Sequence, residues 1–116
     1  MSSTPQHIYL RDFDPDGQSS LAKIARRISP GATILDLGTG PGVLGRYLAT
    51  SKECVIDGVE SHPVQAEMAA PAYRKLEVAD LEQARLADLF PGNQYDIIIC
   101  ADLLEHLRDP GRIFAV

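Results

Sequence analysis

Basic residues are few and scattered. Eleven lysines and arginines stand against sixteen acids over 116 residues, for a net charge of −5, and apart from pairs such as Arg26-Arg27 they are scattered. Nonspecific binding of nucleic acid needs a stripe of cations to neutralise phosphates, so the sequence argues against that partner. Cysteine is nearly absent. Cys54 and Cys100 stand far apart and fit neither a metal-site spacing nor a disulfide framework, which suits a reducing, cytoplasmic setting. The start, "MSSTPQHIYLRDFDPDGQ", has no apolar core of signal-peptide length. No apolar run approaches the roughly 18 residues of a membrane helix, so a membrane partner is not expected. Repeats and low-complexity tracts are also lacking.

What remains is a chain with 45% apolar residues, enough for one domain with one core. Residues 1–17, polar and rich in Pro, Asp and Gly, read as a lead-in arm, and 18–116 as the domain. Leu21, Ile24, Ala25 and Ile28 recur at helical spacing, Ser19 or Ser20 can cap that helix, and "SPGA" stops it. "TILDL" (Thr33–Leu37) predicts a strand. Val43, Leu44, Tyr47 and Leu48 form a helical face. "CVIDGVE" (Cys54–Glu60) predicts a second strand, followed by a short helix capped by Ser61 with Pro63 in its first turn. "KLEVAD" (Lys75–Asp80) predicts a third strand, Leu81–Phe90 a helix, and "YDIIIC" (Tyr95–Cys100) a fourth strand. Asp109-Pro110 marks another helix start.

This alternation predicts an α/β fold of the Rossmann-like type, three layers with a parallel sheet in the order 3-2-1-4. Apolar runs such as "IIIC" suit strands covered on both faces. An apolar fourth strand at a sheet edge invites aggregation. The expectation is therefore that further strands, or a further domain, belong to a longer parent polypeptide.

Between the first strand and its helix lies "DLGTGPG". Gly38, Gly40 and Gly42 permit left-handed backbone and close approach to a ligand. Gly40, Gly42 and Gly45 match the bare G-x-G-x-x-G pattern, which alone is weak support for a dinucleotide site. Asp36 would set a negative charge near a pyrophosphate, and Pro41 removes a backbone donor where an anion would want one. Both suit a ligand whose nearby group is cationic. Asp36, Glu60 and Asp80 each sit at or near a strand end, where ligands bind in doubly wound sheets. Helix capping is the competing role for such acids. An acidic rim accepts hydrogen bonds from ribose hydroxyls and from a cation.

"ILDLGTGPG" resembles the first motif of class I S-adenosylmethionine-dependent methyltransferases. "GVESHP", "VADLEQ" and "YDIIICADLLEHLRDP" resemble, in order, their second, third and fourth motifs. The last is similar to small-molecule methyltransferases of the ubiquinone- and biotin-pathway type. The resemblance implies S-adenosylmethionine as cofactor and a small-molecule methyl acceptor. It also implies roles by position. Gly38, Thr39, Gly40 and Gly42 pass beneath the methionine part, and Asp36 holds its ammonium directly or through water. Glu60 takes the ribose hydroxyls, with Ser61 and His62 along the adenine. Asp80 and the Leu81 backbone meet the adenine edge, and Ala101 borders the methionine end. His106 reads either as a base for an acceptor hydroxyl or as a crevice-lining residue. Asp102 reads as a cofactor contact or a turn cap. Tyr9 could fold over the cofactor from the arm. Cys100 is expected in the core and Arg46 in solvent. The competing functions are a nicotinamide oxidoreductase, against which Asp36 and Pro41 speak, and a noncatalytic cofactor-binding module of a multidomain protein.

Overall fold

The computed structural model describes residues 13–100. Along them run α1 (Ser20–Arg27), β1 (Thr33–Leu37), α2 (Val43–Ser51), β2 (Val55–Glu60) and α3 (Pro63–Ala69). A 3-10 turn (Ala70–Ala72), β3 (Lys75–Val78), α4 (Leu86–Leu89) and β4 (Ile97–Ile99) follow. The strands form one parallel sheet in the order β3-β2-β1-β4, as expected. Thr33 to Leu37 lie opposite Val55 to Val59, Ile34 to Asp36 opposite Ile97 to Ile99, and Asp57 to Glu60 opposite Lys75 to Val78. All four carboxyl ends therefore point to one edge. Chain direction across the sheet reverses between β1 and β4, which is where such sheets open a crevice.

Strand alternation divides the core. Ile34 and Ile56 face one side and pack with Ala25, Ile28, Leu44, Leu48 and Ile99. Leu35, Leu37 and Val59 face the other and pack with Leu81 and Phe90. Helix α1 begins at Ser19, whose Oγ accepts from the Ala22 N–H at 3.1 Å. At its other end the Ala25 and Ile28 carbonyls each accept from Lys52 Nζ at 2.6 Å. Lys52 follows α2, so one cation closes the negative end of α1 and ties the two helices together. Phe13 stacks on Tyr47 with ring centroids 5.3 Å apart, so the stretch leading into α1 is anchored on α2.

Several elements are shorter than the sequence predicts. The second strand starts at Val55, the third ends at Val78, and the fourth spans only Ile97–Ile99. The helix expected over Leu81–Phe90 forms only at Leu86–Leu89. Its first half is diverted at Asp80. That carboxylate accepts from the Glu82 N–H at 2.9 Å, and the Asp80 carbonyl accepts from the Gln83 and Ala84 N–H groups. A short polar side chain that bonds the backbone two residues on favours a turn over a helix. Ser61 is not the cap of α3. His62 is, without a side-chain bond, and its own N–H is donated to Glu60. Ile98 is 45% exposed, against the expectation of a strand covered on both faces. It lies on the face opposite Ile97 and Ile99.

Candidate functional site

The glycine turn hangs on β2 before it enters α2. Gly38 and Thr39 donate their N–H groups to the Val59 carbonyl at 2.8 and 3.2 Å. Gly40 donates to Glu60 Oε1 at 2.7 Å. Gly38 and Gly42 are left-handed, with φ of 84° and 91°, a region that side-chain-bearing residues rarely adopt. Gly42 meets a second constraint, since a Cβ there would lie 2.8 Å from Ala69 Cα of α3. The turn is thus pressed between β1, α2 and α3, with its backbone over the carboxyl edge of the sheet.

Two of the three predicted acids meet beneath it. Asp36 is 5% exposed, and its Oδ2 accepts from the Tyr73 hydroxyl at 2.6 Å. Burial pushes its pKa from the ordinary 3.8 up to about 6. The Tyr73 hydrogen bond pulls it down, and the nearby Glu60 charge adds to the rise. Glu60 is 8% exposed and accepts from two backbone groups, Gly40 N–H through Oε1 and His62 N–H at 3.0 Å through Oε2. It ties the turn to β2 and to the start of α3.

The other predicted residues take varied places. Asp80 is exposed, and its carboxylate shapes the turn described above. The Leu81 side chain is buried against Leu35, Leu37 and Val59. Thr39 is half-buried with its hydroxyl on the Gly40 carbonyl, while Ser61, His62 and Arg46 are exposed. Cys100 is half-buried, and its thiol pKa is raised by burial and by the Asp36 charge, which places it on the β4 side of that acid. Tyr9, Ala101, Asp102 and His106 lie outside the described residues.

Sequence reasoning missed Tyr73. The ring is 8% exposed and occupies a slot that two glycines open. A Cβ on Gly45 would lie 2.6 Å from Tyr73 Cε1, and one on Gly58 2.8 Å from Cε2 and 2.6 Å from Thr39 Cγ2. Gly45, the third glycine of the G-x-G-x-x-G match, therefore makes room for a protein side chain. The signal was there: glycine inside a helix and inside a strand is costly, and marks a close approach.

A second buried acid lies on the opposite face of the sheet. Asp57, 1% exposed in the middle of β2, accepts from Arg74 Nε at 3.0 Å, from Arg74 Nη2 at 2.8 Å and from the Tyr95 hydroxyl at 2.6 Å. Burial alone would raise its pKa, but these partners together hold it below the ordinary value. This cluster is a satisfied brace. An apolar groove of about 400 Å³ between α1 and β4, lined by Ile24, Ile28 and Ile97 to Ile99 among others, is separate from the glycine turn.

A glycine turn over two carboxylates at a parallel-sheet switch point narrows the choice of family, and comparison with known proteins decides it. The family described as methyltransferase domain matches residues 9–115. The chain belongs to that family. Among relatives of this methyltransferase domain, the ubiquinone biosynthesis O-methyltransferase of Acinetobacter baylyi is 29% identical over 92 residues, covering 72% of this chain and 36% of that protein. The N-terminal domain of EvdMO1, solved with SAH bound, superposes with a TM-score of 0.63 at 31% identity, covering 80% of this chain and 42% of that one. The cyclase SpnF shares the fold alone, with a TM-score of 0.65 at 20% identity over 88% of this chain and 42% of its own. The methyltransferase domain seen here spans about a third of the length of the curated relatives it matches, at 36% and 37%.

Proposed function

We propose that this chain is the S-adenosylmethionine-binding part of a methyltransferase that acts on a small-molecule acceptor. The observation that carries this reading is the buried Asp36 carboxylate beside Glu60 beneath a left-handed glycine turn. This is an anionic cradle, suited to an ammonium and to hydroxyl donors rather than to phosphate. Asp36 would face the cofactor's ammonium, with Gly38, Thr39, Gly40 and Gly42 bringing backbone close to its amino-acid part. Glu60 would take the ribose hydroxyls. Each of its oxygens already accepts one backbone N–H and retains a lone pair for a hydroxyl. Ser61, Asp80, the Leu81 backbone and Ala101 would complete the adenine and methionine borders.

When bound, the cofactor supplies a methyl group on a good leaving group. The chain's own residues bind and orient, and orientation is the larger part of catalysis in such a displacement. Similarity to the ubiquinone biosynthesis O-methyltransferases and to the SAH-bound domain of EvdMO1 supports the reading. The test is NMR shift mapping with S-adenosylhomocysteine and, separately, with NAD. Shifts at Gly38–Gly42, Glu60 and Asp80 are expected with the first. The same shifts with NAD alone would replace the reading by a nicotinamide enzyme.

A further inference from the structure

Tyr73 belongs to no motif, yet it makes the one described side-chain hydrogen bond to Asp36. Its ring crosses between α2 and β2 because residues 45 and 58 have no side chains. Two glycines inside regular elements cost stability, on general grounds, in both a helix and a strand. The same result follows at both positions: a ring seated so that its hydroxyl ends at a carboxylate beneath the glycine turn. We propose that Tyr73 is a positioning residue of the ligand site, fixing the Asp36 carboxylate in place for a cationic group held at the turn. This rests on the reading of Asp36 as the acid that meets the cofactor's ammonium.

The physical content lies in what the hydroxyl does to its partner. Tyr73 uses its single O–H on Oδ2, which fixes the carboxylate plane and favours the ionised form. Among the described residues, the other titratable groups facing Asp36 are Glu60 from the end of β2 and the Cys100 thiol after β4. Glu60 opposes its ionisation. The phenol itself is far from ionising, because burial and the Asp36 charge both raise its pKa, so it stays a donor throughout the useful range. Tyr73 thus favours the charged form of Asp36 where burial and Glu60 oppose it.

The experiment is calorimetric titration of the chain with S-adenosylhomocysteine between about pH 5 and 8, for wild type, Tyr73→Phe, Asp36→Asn and the double variant. The Phe ring still fills the Gly45–Gly58 slot, so the fold is retained. Wild-type affinity should fall as pH drops through about 6. Tyr73→Phe should move that midpoint upward and weaken binding near neutrality by roughly threefold to tenfold, the scale of one hydrogen bond. In the Asp36→Asn background Tyr73→Phe should change nothing further. The carboxyl carbon shift of Asp36, followed by NMR without ligand, should show the same upward move. If wild type binds and Tyr73→Phe keeps both affinity and midpoint, the inference falls and the functional reading stands. A loss of affinity with an unmoved midpoint also overturns it, because the ring would then act through packing alone. Failure of wild type to bind overturns the reading and the inference together.

Discussion

Replacing Gly45 by alanine should destabilise this protein, although the same change in an ordinary helix stabilises it. Gly45 lies inside α2, where alanine would gain about 1 kcal/mol from helix propensity. Its new Cβ, however, would stand 2.6 Å from Tyr73 Cε1 and nearer still to the phenol end of the ring. Carbon atoms rest at about 3.5–4.0 Å, so something must move by about 1 Å. The ring has little freedom. It is 8% exposed, its hydroxyl is tied to Asp36 at 2.6 Å, and its other edge already sits where a Cβ on Gly58 would be 2.8 Å away. Overpacking of this kind costs about 1–3 kcal/mol. Loss of a hydrogen bond to a carboxylate would add about 1.5–3. Set against the helix gain, Gly45→Ala should lose about 1.5–5 kcal/mol, seen as a drop of roughly 1 M or more in the urea midpoint. Placing Gly45→Ala on a Tyr73→Leu background, where the shorter side chain vacates the slot, should restore the usual gain. A Gly45→Ala variant that is more stable than wild type with Tyr73 intact would refute the account of the slot.

Three further outcomes are expected. Because folding raises the Asp36 pKa from 3.8 to about 6, the folded state binds that proton more tightly than the unfolded one. Stability from this group is therefore greatest below pH 3.8 and declines as pH rises to about 6, by on the order of 3 kcal/mol. Asp36→Asn should remove that decline when wild-type and variant unfolding curves are compared across the window. Glu60→Ala should weaken S-adenosylhomocysteine binding by roughly tenfold or more, the worth of a charge-assisted bond. It should also shift the amide signals of Gly40 and His62 before any ligand is added, because Glu60 accepts from both. Lys52→Met keeps the apolar stem but deprives the Ala25 and Ile28 carbonyls of their donor. A loss of about 1–3 kcal/mol in chemical denaturation is expected, and no loss would show that water replaces the ammonium without cost.

The layout of the sheet was legible because three strands carry apolar alternation or continuous runs and each crossover carries a helical face. Parallel pairing and right-handed connections then leave little choice of order. Element lengths were less legible. Leu81–Phe90 reads as helical by its apolar spacing, but Asp80 offers the backbone a local partner first, and spacing carries no trace of that competition. Ser61 looks like a cap by residue type, yet the helix starts at Pro63, one residue too late for it, and His62 is the cap. The acids at the site illustrate both outcomes. Strand-end position brought Asp36 and Glu60 together, since the Glu60 charge acts on Asp36. Asp80, at the end of the third predicted strand, stands exposed with its carboxylate occupied. Tyr73 was missed because Gly45 and Gly58 signal a close approach without naming the side chain that makes it, and residues 36, 45 and 58 are distant from it in sequence.

The dipeptide Tyr73-Arg74 explains how this small sheet holds two buried carboxylates at once. Tyr73 is extended, with φ −109° and ψ 143°, so consecutive side chains leave the backbone on opposite sides. Tyr73 goes to the α2 face and meets Asp36, and Arg74 goes to the other face and meets Asp57. Neighbouring residues entering β3 thus serve acids on two different strands and two different faces. Their chemistry is matched to the acid. Asp57 has a bidentate guanidinium and a second phenol, and these partners hold its pKa below the ordinary value, as befits a carboxylate that need never leave its partners. Asp36 has a single neutral donor and a nearby negative charge, and remains about two pKa units above its ordinary value. A buried acid that meets no cation among the described residues has electrostatic capacity for a cation that arrives from outside. On the two faces of one strand pair, a carboxylate that braces the fold thus stands apart from the one we propose for the ligand.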